Sequence, residues 1–124
     1  MNENYKVMVI DDSAFILKAV ERALKPYNFE IVGYANNGKL GLEMFEELMP
    51  DIVVLDITMP EMDGLEVAAN LFKKTPVPNV VMLSALGGHE TYVERAKEIG
   101  VKQFLTKPFK DNELIDAIKS LLHK

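Results

Sequence analysis

The chain reads as an α/β domain: a doubly wound parallel sheet of five strands covered by five helices. Two observations predict this. Short continuous apolar runs alternate with longer stretches whose apolar residues recur at helical spacing, the pattern of repeated strand-helix units around a parallel sheet buried on both faces. Four of the runs also end on a polar group: Val7-Met8-Val9-Ile10 on Asp11-Asp12, Ile52-Val53-Val54-Leu55 on Asp56, Val80-Val81-Met82-Leu83 on Ser84, and Phe104-Leu105-Thr106 on Lys107-Pro108. In parallel strands those ends fall on one edge of the sheet.

The elements follow in order. Lys6 to Ile10 is the first strand. The first helix starts near Ser13, with Ile16, Leu17, Val20 and Leu24 on one side and Lys18, Glu21, Arg22 and Lys25 on the other, and Pro26 stops it. Phe29 to Ala35 is the second strand. Asn37-Gly38 is a strong hairpin dipeptide, but Leu40, Leu42, Met44, Phe45 and Leu48 lack strand alternation, so the pair is a turn entering the second helix. Ile52 to Asp56 is the third strand, and Gly64 permits tight entry to the third helix. Asn79 to Ser84 is the fourth strand, with the fourth helix ending at Gly100. Gln103 to Thr106 is the fifth. The last helix carries Leu114, Ile115, Ile118, Leu121 and Leu122 behind Asp111, an N-cap candidate.

A chain of 124 residues supports one domain, expected over 1–124, with no room for an effector domain. A formal net charge of -5 argues against direct nucleic-acid binding, which draws its affinity from Lys and Arg. The absence of cysteine excludes disulfides, thiolate metal sites and Cys nucleophiles. The polar N-terminus and the short apolar runs give neither a signal-peptide core nor a membrane span, so a cytoplasmic protein is expected.

Taken singly, the polar strand ends have ordinary explanations: Asp12 as a helix cap, Ser84 as a turn residue, Lys107 as a solvated charge. Their convergence changes the reading. Ligands of open α/β sheets bind outside the carboxyl ends of the strands. Three carboxylates crowded there repel one another and favour a hard divalent cation such as Mg2+, which takes oxygen ligands and keeps waters and phosphate in its shell. Pro60 and Gly64 shape the loop behind Asp56 so that backbone carbonyls can join the site. Lys107 can counter a carboxylate or phosphoryl charge, and Ser84 can donate to a phosphoryl oxygen.

Val9-Ile10-Asp11-Asp12-Ser13, Asp56-Ile57-Thr58-Met59-Pro60-Glu61-Met62-Asp63-Gly64, Leu83-Ser84-Ala85 and Thr106-Lys107-Pro108-Phe109 together closely resemble the CheY-like receiver domains of bacterial two-component response regulators, over essentially the whole chain. The resemblance carries with it the flavodoxin-like strand order 2-1-3-4-5. It implies that Asp56 accepts a phosphoryl group from the phosphohistidine of a sensor kinase or a histidine phosphotransfer protein. Asp12, Asp56 and the Thr58 carbonyl would hold Mg2+, with Asp11 assisting, and the Lys107-Pro108 peptide would be cis. Ser84 and Phe104 would form the switch, altering the helix 4, strand 5 and helix 5 face used for a downstream protein or for dimerisation of an otherwise monomeric chain. Phe15, Ile16, Pro108 and Phe109 would dock the kinase. Chemotaxis or a phosphorelay are the expected settings. Ser84, where many members have Thr, and Gly87-Gly88 depart from the common pattern.

Three other readings compete. A small Mg2+ phosphatase of haloacid-dehalogenase type uses similar residues, but with the nucleophile first in the chain and the acidic pair last. A flavodoxin-like binding module needs a phosphate-cradling first loop where this chain has two Asp. The third is a receiver that acts only as an unphosphorylated scaffold.

Overall fold

Strands buried on both faces need apolar residues throughout, and the runs of Val, Ile, Leu and Met supply them. A computed structural model describes residues 4–57, 59, 62–85 and 90–122. In it the strands are β1 (Tyr5–Ile10), β2 (Phe29–Ala35), β3 (Ile52–Asp56), β4 (Asn79–Ala85) and β5 (Gln103–Lys107). The helices are α1 (Ala14–Leu24), α2 (Gly38–Leu48), α3 (Gly64–Leu71), α4 (Glu90–Ile99) and α5 (Asp111–Leu122). The strands form one parallel sheet in the order β2-β1-β3-β4-β5.

Alternate side chains feed two cores. Val7, Val9, Ile52, Val54, Val81 and Leu83 pack on the face covered by α1 and α5. Met8, Ile10, Val53, Leu55, Val80 and Met82 pack on the face covered by α2, α3 and α4. Burying each such side chain contributes about 1.5–3 kcal/mol.

One irregularity was not anticipated from the sequence. The β1–β2 register runs Val7 to Ile31 and then Met8 to Gly33, leaving Val32 as an extra residue. A one-residue insertion reverses which face each later side chain meets. Ile31 and Tyr34 therefore share the α1/α5 face despite their odd and even numbers, while Ala35 meets the other core.

Helix entries also differ in detail from expectation. The first helix begins at Ala14, with Ser13 at the cap position but making no side-chain capping bond. Asp111 is the first residue of α5 and not its cap; the Glu113 carboxylate accepts the Lys110 backbone N–H at 2.7 Å, and Asp111 pairs with Arg22 of α1 at 3.1 Å. The turn reading of Asn37-Gly38 matches the structure, since Asn37 Oδ1 accepts the Leu40 N–H at 2.8 Å. Gly100 ends α4 with φ 128°, where a residue with a side chain would be strained.

Candidate phosphoacceptor and metal site

Parallel register brings the strand ends together. Ile10 lies opposite Leu55, Asp56 opposite Leu83, and Ser84 and Ala85 opposite Thr106 and Lys107. Asp11 follows β1 and is held from both sides. Its backbone N–H donates to Ala35 O at 3.0 Å, and its Oδ1 accepts the Ser13 N–H at 2.8 Å. These bonds fix a fully buried carboxylate at the head of α1.

Asp56 is the last residue of β3 and is also buried, while Asp12 is exposed. Carboxylate oxygens of Asp11, Asp12 and Asp56 all lie within 4.8 Å of one another. Lys107 reaches in from β5, its Nζ 2.9 Å from Asp11 Oδ2 and 3.3 Å from Asp56 Oδ1. With all three acids ionised, three negative charges face one positive charge, leaving a net charge of minus two on oxygen donors. A hard divalent cation fits that donor set. Ser84, at the adjacent strand end, is buried too.

The electrostatics reflect the crowding. Burial pushes Asp11 above the usual carboxylate value, against the Lys107 and Ser13 hydrogen bonds that pull it down. Burial alone would lower Lys107, but its hydrogen bond to Asp11 and the charges of Asp56 and Asp11 outweigh that and raise it. Tyr34 was not singled out from the sequence; burial, then Asp11 and Asp12, raise its hydroxyl. Only the β1–β2 register reveals its place, opposite Val9 near the acid pair.

The remaining site expectations divide. The Lys107-Pro108 peptide is cis. Thr58, Gly87 and Gly88 lie outside the described residues. Phe104 is half-buried against the core that contains Ala96 of α4. Of the residues expected to dock a kinase, Phe15 is 85% exposed and Pro108 is exposed, Ile16 is half-buried, and Phe109 belongs to the α1/α5 core. Among the described residues, no helix is long and apolar enough to cross a membrane.

Comparison with known proteins agrees with this architecture. The response regulator receiver domain model matches residues 7–119. The chain is 40% identical to a chemotaxis protein CheY of Listeria monocytogenes over 92% of this chain and 95% of that one. It is 34% identical to CheY of Thermotoga maritima, covering 94% and 96%. Among solved structures, the crystal structure of the CheX-CheY-BeF3-Mg2+ complex from Borrelia burgdorferi matches with a TM-score of 0.89 at 31% identity, covering 98% of this chain and 92% of that one. A sheet ordered 2-1-3-4-5 and a family match spanning nearly every element lead to one assignment: the chain belongs to the response regulator receiver domain family.

Proposed function

We propose that this chain is a phosphorylation-activated switch of a two-component system, with residues 1–124 acting as its receiver domain and Asp56 as the phosphoacceptor. The observation that carries the proposal is the Lys107 ammonium bridging Asp11 and Asp56 within a three-carboxylate cluster. An Asp56 oxygen attacks the phosphorus of a phosphohistidine; the new O–P bond forms as the P–N bond breaks, and the electron pair returns to the imidazole of the donor.

Asp11, Asp12 and Asp56 are the residues that would hold Mg2+, together with the Thr58 carbonyl. When bound, the ion supplies positive charge that offsets the charge of the transferring group. Lys107 contributes a second positive charge beside Asp56, and Ser84 would donate a hydrogen bond to a phosphoryl oxygen. Catalysis is then positioning plus electrostatic stabilisation, without a turnover cycle on an external substrate.

The phosphoryl group adds roughly -1.5 to -2 charge at a buried strand end. Ser84 turning towards it, with Phe104 following, transmits the change to the face formed by α4, β5 and α5. Shifting a population from about 1:99 to 99:1 requires about 5.5 kcal/mol of preference for the active state. The partners are a histidine kinase or phosphotransfer protein upstream and a target protein downstream. Similarity to CheY proteins along nearly the whole chain favours a chemotaxis-type output.

Intact-mass spectrometry after incubation with acetyl phosphate, with and without Mg2+, tests the proposal. The wild type gains one phosphoryl group only with Mg2+, and Asp56→Asn gains none; equal uptake by Asp56→Asn would reject the acceptor. Steady hydrolysis of phosphate esters would instead favour the phosphatase reading.

A further inference from the structure

Asn37 is the one asparagine in the sequence followed by glycine. That pairing is chemically labile, because the unhindered glycine nitrogen can attack the asparagine side chain. We propose that Asn37-Gly38 is a deamidation site closed by the native fold and opened when the connection between β2 and α2 unfolds.

The reaction is fully specified by the chain and water. The Gly38 amide nitrogen, after losing its proton, forms a bond to Asn37 Cγ. The Cγ–Nδ2 bond breaks and ammonia leaves, taking up a proton from solvent. Water then opens the five-membered imide at either carbonyl, giving aspartate or isoaspartate at position 37.

Ring closure requires the Gly38 nitrogen to swing alongside Asn37 Cβ and requires the side-chain amide to be free to turn. Neither condition holds in the fold. Asn37 is extended, at φ -155° and ψ 164°, which keeps the Gly38 nitrogen away from Cβ. Both side-chain heteroatoms are engaged: Oδ1 accepts the Leu40 N–H at 2.8 Å, and Nδ2 donates to Asn36 Oδ1 at 3.1 Å. The Asn37 carbonyl also accepts the Gly41 N–H at 3.0 Å. Gly38 itself is wedged in place, since a Cβ there would lie 2.7 Å from Val67 Cγ2 and 2.8 Å from the Met62 carbonyl oxygen. Rotating this peptide into the reactive form means dislodging the first turn of α2 from α3.

The two products have different consequences. Aspartate keeps an oxygen to cap α2 and adds a negative charge to the turn that follows Ala35, whose carbonyl holds the Asp11 N–H. Isoaspartate lengthens the main chain by a methylene group and displaces the cap.

The test compares the folded chain with a synthetic peptide of residues 33–41 in the same buffer, reading the mass gain from amide to acid and the isoaspartate content by peptide mapping. Because reaction proceeds only through the open population, the folded chain should deamidate at Asn37 at least about a hundredfold more slowly than the peptide. Urea below the unfolding transition should raise the rate in step with the open fraction. Asn37→Ser, which keeps a capping oxygen without the amide, should remove the product from this peptide of the map. A folded-state rate within a few fold of the peptide's, or a rate indifferent to urea, would overturn the proposal.

Discussion

Two helices flank the edge strand β5, one on each face of the sheet, and they are anchored very differently. α5 buries Leu114, Ile115, Ala117, Ile118 and Leu121, five of its twelve residues. α4 buries Ala96 alone among ten, with Tyr92, Val93 and Ile99 half-covered. α5 is also tied at its start by the Glu113 bond to Lys110 and by the Arg22 pair with Asp111. Since helices in proteins are held mainly by packing of an apolar face, the same edge has one firm wall and one lightly held wall. Any signal that alters the β5 end meets less resistance on the α4 side.

Substitutions in the two helices should separate them. Ile118→Ala, which opens a cavity in the α1/α5 core, should lower unfolding stability by about 2–5 kcal/mol in urea titration. Ala96→Gly should cost only about 1 kcal/mol, mostly through helix propensity. Equal losses would break the comparison. Native-state hydrogen exchange would sharpen it: the amides of α4 should open at lower free energy than those of α5.

A smaller effect is expected from pH. Lys107 is raised in the fold above its ordinary 10.5, so its contribution is fully present below that value and is lost as pH rises through the higher native pKa. The alkaline slope of the stability curve should flatten in Lys107→Ala. Asp11 runs in the same sense, at lower pH. Its raised pKa means that the charged form penalises the fold, and the penalty is relieved as pH falls. The smallest change belongs to Arg22→Ala. Both partners of that ion pair are exposed, so the loss should be about 0.2–1 kcal/mol and should shrink in high salt.

Much of this was legible in the sequence because a parallel sheet states itself twice, in apolar runs and in what terminates them. Asp11, Asp56 and Lys107 could be placed at one edge from strand ends alone, before any distance was known. The Val32 insertion was missed, although Gly33 beside it, a glycine inside a strand, is the kind of residue that often marks a bulge. Phe15 and Phe109 show a related limit. Both adjoin site motifs and are aromatic, yet one points to solvent and the other into the core, a difference that depends on where α1 and α5 meet. Lys110 taking the entry of α5 instead of Asp111 reflects the reach of Glu113, a choice that propensity alone does not make.

Gly64 opens α3 directly behind Asp56, where a Cβ would overlap the carbonyl oxygen of Asp56 and crowd Ile57 Cα. Its N–H donates to Ile57 O at 2.9 Å, so the returning loop is riveted to the strand end it serves. Position 64 thus works as a gauge block: having no side chain, it lets the start of α3 close down on the backbone of Asp56 and Ile57. A methyl group there should displace the end of β3 and, on the proposed function, weaken phosphoryl uptake at Asp56 without touching its carboxylate.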